Sequence, residues 1–155
     1  MKEAIGGGWL LGFVSIFIVL MAGYLTVSIN YTKAFKVKNR IISLIEENEG
    51  FTTSTQDLTN INIDTLKNGT NLKTEEKVFI YLDQIGYKYT GVNCPDGFNT
   101  NPYTGGYCVK KIKTNQGAYY KVASFISLEL PLVWLKINVP ITGETKVIYN
   151  VNDSL

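Results

Sequence analysis

Apolar and polar positions divide this chain sharply in two. Residues 9–29 read WLLGFVSIFIVLMAGYLTVSI: they carry no charge, and Ser15, Tyr24, Thr26 and Ser28 are their polar members. About 20 apolar residues cross a bilayer as a helix, so 9–30 is predicted to be a transmembrane helix. From residue 31 the pattern becomes two-faced. Ala34, Val37, Ile41, Leu44 and Ile45 recur at steps of three and four, with Phe35 and Ile42 widening the stripe. Lys33, Lys36, Arg40, Glu46 and Glu47 fall mostly off it. This is an amphipathic helix in phase with the apolar one. No breaker separates Gly23 from Gly50, and Glu49-Gly50 is a natural stop. One helix of about 60 Å is therefore expected over 9–49, its first half in lipid and its second half, 31–49, laid by one face on a domain. A helix lying on the membrane surface after a bend at Asn30 is the alternative, with Lys33, Lys36, Lys38 and Arg40 on anionic headgroups.

The rest of the chain, 50–155, changes period twice. Residues 51–72 are polar and read as a loop with short local structure. A second helix is expected from Thr74, a capping residue followed by Glu75 and Glu76. Val78, Tyr81, Leu82 and Ile85 form its apolar face, and Gly86 ends it. Strand patterns then take over: YCVKKIKT, a TNQGA turn, and YYKVASFISLEL up to Pro131. VWLKINV and TKVIYN read as further strand, with breaks at Pro140 and Gly143, and proline there implies an edge or a bulge. The expected fold class is α+β: a long N-terminal helix, transmembrane in its first half, packed on a small antiparallel sheet of three or four strands. ELPLVWLKINVP groups Leu130, Leu132, Val133, Trp134, Leu135 and Ile137. It reads as sheet core with a covered edge, or as an exposed apolar ridge meeting a neighbouring subunit or the membrane.

Cys94 and Cys108 are the only cysteines, and they bracket PDGFNTNPYTGGY. Such a stretch holds neither helix nor strand by itself, so a disulfide closing it is expected, contributing about 3 kcal/mol. That places 50–155 in an oxidising, extracytoplasmic compartment; two free thiols in a cytosolic domain are the alternative. Flanking charge points the other way, since Lys2 opposes four basic residues beyond the span. The cysteines weigh more, because long domains translocate largely regardless of flanking charge.

Composition narrows the chemistry. The 155 residues carry a formal net charge of +2 and no histidine. The commonest general base and metal ligand is thus missing, and no spacing suggests a Lys-activated serine or a carboxylate pair. No enzyme activity, metal or other cofactor is expected. Basic residues are scattered, without the aromatic-interleaved patch of a nucleic-acid binder, so nucleic acid is not an expected partner. Asn60, Asn62 and Asp64 open like a calcium loop, but Thr65 stands where glycine is required and Asn71 where glutamate is.

The first eight residues, MKEAIGGG, form a short charged start ending in glycine. An uncleaved anchor is the reading from length, a cleavable signal peptide the alternative. The start resembles the leader of type IV prepilins, where cleavage follows glycine, here Gly8. Gly8 and Gly12 also make a GxxxG spacing. Leader, apolar-to-amphipathic helix, antiparallel sheet and closed loop together resemble the plan of type IV pilins and pseudopilins. FISLELPLVWLKINVPITGETKVIY is similar to the C-terminal part of minor pilins of the tight-adherence (Tad-type) pilus. Phe13 stands where major pilins carry a glutamate, and the resemblance is to a minor or assembly-associated subunit. It implies a pilus or secretion-system component that assembles through Gly8, Trp9, Gly12, Phe13, Phe17 and Leu20, with the Ala34, Val37, Ile41, Leu44 and Ile45 stripe holding the sheet. Its implied partners are the membrane and other pilin-like subunits or assembly-platform proteins. A stand-alone anchored module binding protein or carbohydrate through Phe98 and Tyr103 is the other function expected.

Overall fold

The structure is a computed structural model and describes residues 2–54, 58, 62–87, 93–100, 106–130 and 135–151. Its fold is α+β, as expected. Helix α1 (Lys2–Glu47) is continuous, at 46 residues about 70 Å long. Two shorter helices follow, α2 (Ile63–Lys67) and α3 (Thr74–Gln84). The strands are β1 (Asn99–Thr100), β2 (Tyr107–Thr114), β3 (Gly117–Leu130) and β4 (Leu135–Glu144), antiparallel in the order β1-β2-β3-β4.

Helix α1 is not interrupted at Asn30. The helix runs through it, and the hydroxyls on either side fold back onto their own helix: Thr26 donates to the Ala22 carbonyl and Thr32 to the Ser28 carbonyl, both at 2.9 Å. Such back-bonding lets hydroxyls sit in an apolar helix with no outside partner. Further on, Ala34, Val37, Ile41, Leu44 and Ile45 are all buried. Val37, Ile41, Leu44 and Ile45 pack with Tyr107, Val109, Tyr120 and Val122 of the sheet and Val78 and Leu82 of α3 in one cluster. The Ser124 hydroxyl in β3 donates to the Ala34 carbonyl at 2.9 Å, fixing sheet to rod. Phe35 lies off this face and is exposed; it stacks on Tyr31 at 6.3 Å, with the Lys38 ammonium over its ring at 4.3 Å.

The end of α1 falls one residue from the place the sequence suggests. Gly50 was the natural candidate for the reversing position, yet Glu49 takes the left-handed conformation (φ 53°). Glu49 N–H donates to the Glu46 carbonyl and Gly50 N–H to the Ile45 carbonyl, which is the Schellman pattern with Glu49 at its left-handed position. Helix α3 ends in the same way, there with Gly86 (φ 65°) in the glycine-favoured place.

At its start, α3 departs from expectation. Thr74 is the first helical residue and Lys73 the cap. Thr74 instead donates its hydroxyl to the Gly50 carbonyl, while Thr52 accepts the Thr74 and Glu75 N–H groups on its hydroxyl and carbonyl. The segment after α1 thus caps α3 from outside. Glu76 closes the turn by accepting the Lys73 N–H, and the buried Glu75 carboxylate accepts the Ser54 N–H. On the apolar face, Val78 and Leu82 are buried, Tyr81 is half-buried, and Ile85 is exposed.

Strand β4 runs through Pro140 and Gly143, where breaks were expected. Pro140 pairs with Phe125, whose own N–H and C=O both engage the Tyr87 hydroxyl on the side of β3 away from β4. The missing proline N–H therefore removes no bond between β3 and β4, which is how an edge strand tolerates proline. Gly143 admits the helix: a Cβ there would lie 2.8 Å from the Lys38 Cδ and 2.9 Å from the Ile42 Cδ1. TKVIYN forms no strand. It returns along β3 through a single bridge, Ala118↔Ile148. The TNQGA turn is a two-residue hairpin loop between Thr114 and Gly117.

Glu49→Gly removes a side chain from a backbone conformation that disfavours it. It is expected to stabilise the head by about 1 kcal/mol, read as a higher midpoint in denaturant.

Candidate functional site

The chain offers two surfaces whose chemistry the fold does not consume. The first is the N-terminal half of α1. Trp9, Phe13, Phe17 and Leu20 are each more than 60% exposed, and every described residue from Gly7 to Ala22 is exposed. This half is long and apolar enough to cross a membrane. Trp9 and Phe13 stand with ring centroids 5.7 Å apart and border a shallow hollow with Gly8, Gly12 and Ile16. A Cβ added at Gly8, Gly12 or Gly23 would meet nothing within 4 Å. Among the described residues their smallness serves no packing, although glycine inside a helix costs about 1 kcal/mol relative to alanine.

Where the apolar half meets the head, Tyr24, Tyr31 and Phe35 are exposed alongside Lys33, Lys36 and Arg40. Aromatic rings and cations at the end of an apolar span suit the boundary between acyl chains and headgroups. No ion pair to Lys33 or Lys36 is present among the described residues, whereas Arg40 reaches Glu47 at 3.3 Å.

The second surface is the loop side of the sheet. Cys94 and Cys108 are joined in a disulfide, and Cys108 packs with Ala123 and Phe125 on the face away from α1. Phe98 is half-buried against the same cluster, which leaves it less free to meet a ligand than its place in a polar loop suggests. Tyr103 lies outside the described residues, as does Asn60 of the calcium-like stretch. Asn62 caps α2, and Asp64 sits in that helix with Lys67 at 4.0 Å. Among the described residues there is no group of three metal-ligating side chains.

Tyr87 was not singled out by periodicity. Its hydroxyl lies 2.9 Å from the Phe125 carbonyl and 3.2 Å from the Gly106 carbonyl, and accepts the Phe125 N–H at 2.9 Å. It stands where β2 would continue beside β3, filling the ladder with a side chain. The only signal in the sequence was a tyrosine directly after a helix-ending glycine. On the far edge, Lys121 meets Glu144 at 2.7 Å, and that hydrogen bond holds its ammonium above the ordinary lysine range.

Tyr87→Phe removes one buried donor and the acceptor of the Phe125 N–H, and is expected to cost about 1–3 kcal/mol in a denaturant titration of the head. Replacing both cysteines by serine is expected to lose about 3 kcal/mol in the same titration, and the parent protein to take up no maleimide until reduced.

Comparison with known proteins finds no family model, no curated protein and no solved structure that matches the chain.

Proposed function

We propose that the chain is a membrane-anchored, pilin-like structural component of a bacterial pilus or secretion system, a minor pilin or pseudopilin that assembles through its N-terminal apolar helix. The observation that carries this reading is one uninterrupted helix that is predominantly apolar and exposed from Gly7 to Ala22 and whose second half is locked to a folded head. Such a rod transmits the position of its lipid-embedded half rigidly to the head. Helices of like kind associate in lipid by close backbone approach, for which Gly8 and Gly12 are available. The disulfide supports a head held outside the cytoplasm, since cytosolic thiols are kept reduced. The absence of histidine supports a structural role over a catalytic one.

Single cysteines at Gly12, Phe13 and Leu20, crosslinked in membranes of the native host, test this directly. Adducts with other subunits are expected, strongest on one helical face. Exchanging residues 9–29 for an unrelated apolar helix of equal length is expected to abolish them while leaving the head folded. A strictly monomeric protein in cells that make the rest of the system would overturn the reading.

A further inference from the structure

Two positive charges stand one turn apart at the start of α3 with nothing to balance them. Lys73 is the cap, and the Lys77 N–H donates to its carbonyl at 3.1 Å. Like charges at this spacing repel each other. Among the described residues neither ammonium has a carboxylate partner, whereas Arg40, Lys67 and Lys121 each have one. The nearest acids in sequence are engaged elsewhere: Glu75 accepts the Ser54 N–H, and Glu76 accepts the Ser54 hydroxyl and the Lys73 N–H.

Both lysines are half-buried and line one open cleft of about 440 Å³, between the end of α1 and the loop joining α2 to α3. No carboxylate lines it. Lys77 Nζ donates to Asn48 Oδ1 at 2.5 Å, and Asn48 Nδ2 donates to the Leu44 carbonyl at 2.6 Å. The carboxamide is therefore fixed, and it positions an ammonium that has two further donors to offer. Thr70 and Asn71 add a hydroxyl and a carboxamide whose side chains meet no partner among the described residues. Gly69 lets their turn close, since a Cβ there would lie 3.2 Å from the Leu66 carbonyl oxygen and 3.3 Å from Leu72 Cδ2. Leu72 is the one apolar side chain in the lining.

We propose that this cleft binds an acidic sugar, with the carboxylate of a uronic acid residue between Lys73 and Lys77 and its ring hydroxyls against Thr70 and Asn71. The volume is that of a small-molecule site. One apolar side chain among amides and hydroxyls suits a polyhydroxylated ring better than an apolar acid. The devices that favour phosphate are missing. No arginine lines the cleft, and the first N–H groups of α3 are already spent, those of Thr74 and Glu75 on Thr52. A lipid headgroup is not the source either. The cleft sits at the end of α1, about 25 Å along the helix from residue 30, well beyond the headgroup layer of a membrane that α1 spans. The inference is independent of the pilin-like reading.

The test uses the full oxidised chain, alone, in zwitterionic detergent micelles. Its amide NMR spectrum is titrated with glucuronate and, at equal ionic strength, with glucose, acetate and inorganic phosphate. Saturable shifts are expected with glucuronate, confined to residues 48, 52 and 69–77, at an affinity about ten-fold or more above each of the other three. Lys77→Met, which keeps the aliphatic stem, is expected to weaken binding about ten-fold or more, with the Tyr120 and Ser124 amides unmoved as evidence of an intact head. Lys73→Gln, at a cap whose hydrogen bonds come from its backbone, is expected to weaken it as well. No saturable shift with glucuronate would overturn the proposal, as would equal binding of acetate or phosphate, or undiminished affinity in both lysine variants. Because no other subunit is present, any of these failures leaves the assembly role standing.

Discussion

The main core of the described head is organised by the burial of one face of α1 against the sheet. Val37, Ile41 and Ile45 are fully shielded, and Leu44 nearly so. A helix of this length keeps its second half ordered in water mainly because that face is buried, since intrinsic propensity alone leaves helices marginal. The glycine at 143 shows how close the approach is, because helix side chains occupy the place of its missing Cβ. The helix continues without interruption through Asn30 into the face that the sheet covers.

The opposite face of the sheet is closed by different means. There the disulfide brings the Cys94 segment onto a small cluster of Cys108, Ala123 and Phe125. Tyr87 joins the two regions: its backbone ends α3, its ring lies in the helix-side core, and its hydroxyl stands in for a missing strand beside Phe125. The division of labour is clear in physical terms. Apolar area fixes the rod, and a covalent bond and one buried hydroxyl fix the rim.

Much of this was legible in the sequence where a single periodicity ran unopposed. The Ala34-to-Ile45 stripe and the Val78 and Leu82 face each repeat a period long enough to be read, and the hairpin at Asn115-Gln116 shows in its turn residues. Legibility failed where a distant partner decided the outcome. Thr74 looks like a cap, but Thr52, remote in sequence, supplies those acceptors. Pro140 looks like a break, but Phe125 has turned its polar groups toward Tyr87, so the strand loses nothing. TKVIYN has strand composition, yet only Ile148 finds a ladder partner. For the candidate assembly surface, composition announced the span but could not show that a Cβ at Gly8 or Gly12 would meet nothing within 4 Å among the described residues. Leu132, Val133 and Trp134 of the apolar ridge lie outside the described residues.

The central claim is a single rod continuous from lipid into water. A nitroxide scan of residues 24–40 in the full chain, reconstituted in bilayers, tests it most directly. The expected result is one unbroken helical periodicity of accessibility, with low mobility through Asn30 and the protected face passing smoothly onto Ala34 and Val37. A stretch of high mobility, or a lost phase between Ser28 and Lys33, would contradict it.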